Sequence, residues 1–138
     1  MVPITVTYNS ELRCTVTHDT SGVSYQTDAP KDNFGKGESF SPTDLVATAL
    51  GSCMITTIGI YIAKNNLPIN IDGTTLSIEK HMSADLPRRI AKIIVRVNFP
   101  KGILLEFQSK IKEIGDTCPV AKSLHPDVIL DVQYNFSD

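Results

Sequence analysis

Apolar and polar residues alternate with a period of two at the start of the chain, the signature of strands with one covered face. Val2, Ile4, Val6 and Tyr8 share one face of a first strand; Leu12, Cys14, Val16 and His18 share one face of a second. "NSE" between them and "DTSG" after them are turn chemistry, and Val23 and Tyr25 open a short third strand. "DAPKDNFGKGESFSP" then reads as a long loop. The pattern changes at Pro42, a residue suited to the first turn of a helix. Ser41 is placed to cap it, and Asp44 favours the positive end of its dipole. From Leu45 to Ala63 no residue is charged, and "NNLP" stops the helix near Lys64 or Asn65 because Pro68 excludes a helical neighbour.

Two alternating strands follow, one carrying Leu76, Ile78 and Met82 and the next Ala91, Ile93, Val95, Val97 and Phe99, with "ADLPRR" as the turn. Ile103, Leu104, Phe107, Ile111 and Ile114 then recur at helical spacing, and Gly115 is placed to close that helix as its C-cap. "CPVAKSL" predicts a short helix, and Val128, Leu130, Val132, Tyr134 and Phe136 a last strand. The order β-β-β-α-β-β-α-(short α)-β predicts an α+β fold with antiparallel hairpins, on one domain spanning residues 1–138. The uncharged helix, roughly 28 Å long at 1.5 Å per residue, must be covered on every side. Six strands of a small monomer cover only one side, so a two-fold homodimer is expected.

Composition narrows the class. At 15.1 kDa, with 41% hydrophobic and 20% charged residues, the chain has the make-up of an ordinary globular protein. A net charge of −2 with scattered Lys and Arg lacks the basic stripe that phosphates require, and no Trp is present for a stacking platform, so no nucleic-acid partner is expected. The apolar helix reaches the lower length of a membrane span, but Thr48, Ser52, Thr56, Thr57, Gly51 and Gly59 dilute it and no basic cluster flanks it. A buried helix, without membrane association, is expected. The N-terminus shows neither a basic segment nor a continuous apolar run, which makes the cytoplasm the expected location.

Three cysteines, Cys14, Cys53 and Cys118, are too few and too spread for a disulfide framework, and Cys14 with His18 does not complete a metal site. Cys118 precedes Pro119 and falls at a helix N-cap, where the dipole lowers a thiol pKa; an ordinary cysteine before a turn reads the same way. Cys53, alone in an apolar helix with Ala49, Thr56, Thr57 and Ile60 along its face, reads by itself as a core residue with a raised pKa. Cys14 belongs to a core face. Arg13 reads as solvated and "FGKGES" as a flexible loop.

Two segments carry a resemblance. "SPTDLVATALGSC" resembles the helix-opening signature of the OsmC/Ohr superfamily, and "TCPVAKSL" resembles its second-cysteine segment; the element order matches along almost the whole chain. The resemblance implies an OsmC-like fold, antiparallel sheets around long central helices in an intertwined homodimer. It also implies a thiol peroxidase for organic hydroperoxides that uses no metal or bound cofactor. Cys53 would attack the peroxide and become a sulfenic acid, and Cys118 would resolve it as a disulfide. An external dithiol of lipoyl type would then reduce that disulfide. Arg13 is the matching candidate for the arginine that stabilises the thiolate, and Asp44 for the carboxylate that orients the arginine. Thr43 stands directly after Pro42, where better-characterised peroxidases carry a Glu; the acid here comes one residue later, as in the OsmC-like branch. Two other readings compete: a non-catalytic dimer that binds a hydrophobic small molecule, and a thiol redox sensor.

Overall fold

A computed structural model describes residues 1–137. It divides into two compact units, Met1–Val46 and Ala47–Asp138. Its α+β element order is the one the periodicity predicts.

In the first unit, β1 (Ile4–Ser10), β2 (Arg13–His18) and β3 (Ser24–Gln26) form an antiparallel sheet in the order β1-β2-β3. Ser10, Glu11 and Leu12 all take positive φ, of 85°, 55° and 63°. That reversal uses up Leu12, so the second strand begins at Arg13, while Cys14, Val16 and His18 keep the predicted phase. Register pairs Tyr8 with Cys14, Val6 with Val16 and Val16 with Tyr25, which puts the apolar residues of all three strands on one face. The segment predicted as a plain loop contains a 3-10 turn at Lys31–Asn33.

Helix α1 (Pro42–Lys64) starts and stops where Pro42 and the "NNLP" segment require. Ser41 and Asp44 cap it reciprocally. The Asp44 N–H donates to Ser41 Oγ at 3.1 Å, and the Ser41 N–H donates to Asp44 Oδ2 at 2.9 Å. By length and composition α1 could cross a membrane, with mean hydropathy 1.8 over its most apolar window. Here Ala47, Leu50, Gly51, Met54 and Ile58 form a single buried stripe in the core, whereas Thr48, Ser52, Thr56 and Ile60 form an exposed one. Gly51 lets α1 approach the next sheet closely, since a Cβ there would run into the Ile78 side chain.

The second unit builds its sheet from β4 (Thr75–Met82), β5 (Ile90–Asn98) and β6 (Ile129–Asn135), in the order β4-β5-β6. β4 and β5 are antiparallel as expected, but β6 runs parallel to β5, so this sheet is mixed. Parallel pairing needs a crossover, and α2 (Leu105–Asp116) with α3 (Pro119–Ser123) supplies it. Ile93, Val95, Val97 and Phe99 are buried at the centre of the core with Leu50, Met54 and Ile58.

Ile103 and Leu104 precede α2 rather than opening it, and Ile103 is buried as the chain enters the helix. Gly115 is not the C-cap: α2 continues to Asp116, and Thr117 takes the cap. The glycine is needed for space. A Cβ on it would collide with the Tyr134 hydroxyl.

Candidate thiol site

Cys53 lies beside the buried stripe of α1, between Leu50 and Met54, and is half-buried. One turn later Thr57 places its Oγ1 3.7 Å from the sulfur. The α2–α3 corner supplies the other partners. Pro119 occupies the first turn of α3, and Cys118, with φ −63° and ψ 156°, is its N-cap. Cys118 is fully buried, and its Sγ accepts the Ala121 N–H at 3.5 Å. The Val120 N–H and the Cys118 thiol both donate to the Cys53 sulfur.

These contacts separate the two thiols electrostatically. Burial pushes the Cys53 thiol up, but hydrogen bonds from the Val120 N–H, the Thr57 hydroxyl and the Cys118 thiol together bring it below the ordinary thiol range. Cys118 moves the other way. Burial holds it above the ordinary range, the Ala121 N–H opposes this, and the neighbouring Cys53 charge reinforces it. Between the two sulfurs, the Cys118 thiol is the donor and the Cys53 sulfur the acceptor.

Read from local sequence, the two cysteines had the opposite characters: an N-cap that lowers Cys118 and an apolar helix that raises Cys53. The N-cap position is as predicted, but for Cys118 burial outweighs its hydrogen bond. Cys53 gains donors from residues remote in sequence. Thr57 was visible along its face. The Val120 N–H was not, because a backbone donor leaves no residue signature.

A cavity of about 230 Å³ adjoins these elements, lined by Leu50, Met54, Gly115, Asp116, Ala121, Leu130 and Val132. Apart from Asp116 its lining side chains are apolar.

The other candidates lie in the first unit. Arg13 is not simply solvated: its guanidinium donates to Glu38 at 2.7 Å and to Asp28 at 3.3 Å. The Asp28 side chain is 1% exposed, and its Oδ2 also accepts the Glu38 N–H at 3.0 Å. The Glu38 N–H lowers the Asp28 pKa against the effect of burial, and Arg13 and the Lys36 and Ala29 N–H groups lower it further. Hydrogen bonding to Glu38 raises the Arg13 pKa. "FGKGES", read as a flexible loop, thus supplies both the Glu38 carboxylate and its N–H to an ordered network. Asp44 serves the α1 cap. Cys14, at the start of β2, is a half-buried free thiol whose N–H donates to the Thr27 hydroxyl at 3.2 Å.

Two free cysteines whose acidities are displaced in opposite directions are brought together from α1 and the α2–α3 corner of a small α+β protein. The OsmC-like protein family model matches residues 35–133, and the chain belongs to that family. A solved structure from Psychrobacter arcticus 273-4 is 44% identical over 98% of this chain and 96% of that one, with a TM-score of 0.90; it is provisionally described as an osmotic stress induced and detoxification response protein. The organic hydroperoxide resistance protein OsmC of Legionella pneumophila superposes with a TM-score of 0.76 at 11% identity, over 98% of this chain and 96% of that one. An organic hydroperoxide resistance protein of Elizabethkingia anophelis gives 0.77 at 16% identity, over 99% and 96%. Among curated proteins none matches the chain significantly.

Proposed function

We propose that the chain is a cysteine-based peroxidase that reduces organic hydroperoxides. The observation that carries this reading is the contact between Cys53 and Cys118 with their acidities displaced in opposite directions. Peroxide cleavage needs one thiolate to attack, and closing a disulfide on the resulting sulfenic acid needs a second thiol held in reserve. The Cys53 thiolate attacks the terminal peroxide oxygen. The O–O bond breaks, the leaving alkoxide takes a proton, and an alcohol and a Cys53 sulfenic acid result. Cys118 then attacks the Cys53 sulfur. Its proton leaves with the hydroxyl as water, and the S–S bond closes. An external dithiol of lipoyl type reopens the bond by exchange, which requires no bound cofactor or metal. The apolar walls beside the pair suit an alkyl tail. The names of the Legionella and Elizabethkingia proteins support the same substrate class.

In this proposal Arg13 keeps the role of thiolate-stabilising cation that the resemblance implies. Asp28 and Glu38, its own ion-pair partners, join Asp44 as candidates for holding it. The working state is a cytoplasmic homodimer: Ile4, Val6 and Tyr8 are 60%, 60% and 64% exposed on one face of β1, an apolar row that a second copy would cover. Reduced protein treated with one equivalent of cumene hydroperoxide should lose two thiols and gain one Cys53–Cys118 disulfide by peptide mass mapping. Retention of both thiols would refute the peroxidase. The cavity favours a second reading, a binder of a small apolar molecule; native mass spectrometry showing a retained ligand without peroxide turnover would select it.

A further inference from the structure

Tyr134 of β6 reaches across the second unit to the last turn of α2. Its hydroxyl donates to Asp116 Oδ1 at 2.8 Å and to the Lys112 carbonyl at 3.3 Å, over Gly115, whose missing side chain makes the space. The ring is fixed by stacking on Phe99, with centroids 6.4 Å apart and planes at 14°, and Phe99 stacks in turn on Phe136. The turn so held leads directly to the buried thiol. The Cys118 N–H donates to the Gly115 carbonyl at 3.4 Å, and the Thr117 hydroxyl donates to the Glu113 carbonyl at 2.8 Å. One hydrogen-bonded step thus separates the Tyr134 clamp from the residue that must reach Cys53.

We propose that Tyr134, with Asp116 as its acceptor, is a positioning residue for the second chemical step: it sets where the Cys118 sulfur stands for attack on oxidised Cys53. The inference rests on the assignment of Cys118 as the resolving thiol. The pair has an order of events, and Tyr134 acts on the later one. Cys53 takes its donors from Thr57, Val120 and Cys118, and of these only Cys118 stands on the turn the phenol holds, so the first reaction depends on the clamp far less than the second. Burial and the Asp116 carboxylate raise the phenol pKa, so the hydroxyl remains a donor throughout the working range.

The two steps can be separated without peroxide by using diamide on the reduced full-length protein. The Cys53 thiolate adds across the N=N bond, forming an S–N bond while a proton goes to the other nitrogen. Cys118 then attacks the Cys53 sulfur; the S–S bond forms, the S–N bond breaks, and the hydrazine leaves with the Cys118 proton. Quenched-flow mass spectrometry follows the adduct and the disulfide separately. Tyr134→Phe keeps the ring stack and removes only the hydroxyl. It should leave adduct formation within about twofold of wild type and slow closure about three- to tenfold, the worth of one ordinary hydrogen bond. Asp116→Ala should slow closure in the same direction. Asp116→Asn, whose amide oxygen still accepts, should restore it. Closure at the wild-type rate in Tyr134→Phe, equal slowing of both steps, or a wild type that forms no Cys53–Cys118 disulfide would overturn the proposal. A wild type that closes with diamide yet ignores organic hydroperoxides would refute the peroxidase and leave the positioning role standing.

Discussion

Val6 in β1 and Val95 in β5 each lie mid-strand on an alternating apolar row, yet Val6 is 60% exposed and Val95 is fully buried. The contrast extends to the units around them. In the second unit α1, β5 and the α2–α3 corner enclose a continuous core that contains Cys118 itself. In the first, the buried residues among those described are Thr27, Asp28 and Ser41, all polar. One unit is organised by apolar burial and the other by hydrogen bonds and an Arg13–Asp28–Glu38 ion-pair set, with its apolar row open. The chemistry follows the division. A thiol placed in the enclosed core is displaced by burial until donors compensate, and that competition gives Cys53 and Cys118 different acidities.

The sharpest break of this comparison is chemical. Cys53→Ser should reduce peroxide consumption by at least about a hundredfold, the scale expected when the attacking group itself is removed. Cys118→Ser should leave the first step nearly intact and yield a sulfenic acid trapped by dimedone. Equal loss in both variants would remove the division of roles. Next in size is stability. Val95→Ala should lower the unfolding free energy in urea by about 2–3 kcal/mol through lost burial and a residual cavity. Val6→Ala should cost under about 0.5 kcal/mol in dilute monomer while weakening self-association in analytical ultracentrifugation. Similar costs for the two, with no change in association, would show that the open row has no partner.

Acid titration probes the polar unit. Asp28 has a depressed folded pKa, so its stabilisation is complete above the unfolded value of about 3.9 and is lost as pH falls through the lower folded value. Amide exchange in β2 and the 36–40 loop should rise in that acid window, and Asp28→Asn should flatten the response. The smallest effect is expected at Thr57. Thr57→Val removes one donor, so the pH midpoint for iodoacetamide labelling of Cys53 should move upward from its position below ordinary thiols. An unchanged midpoint would exclude the hydroxyl as a contributor.

Much of the architecture was legible because its signals are local. Period-two alternation located six strands, and Ser41, Pro42 and Pro68 bounded α1 within a residue or so. Pro119 placed Cys118 at an N-cap. Gly115 misled for a definite reason: a glycine at a helix end is favoured as a C-cap, but here a side chain from β6 needs the room. The parallel pairing of β5 and β6 was equally hidden, since alternation specifies the face of a strand and not its direction.

The same boundary runs through the site. Sequence by itself determined which residues could be thiols, which helix would be uncharged and where each cysteine sits within its element, since periodicity, capping and turn chemistry act over a few neighbouring residues. Only the tertiary structure decided that Cys53 and Cys118 meet, that the Val120 N–H faces a sulfur it is not near in the chain, and that Arg13 belongs to Asp28 and Glu38. Thiol acidity depends on burial and on donors within a few ångströms, and it is folding that brings those groups together.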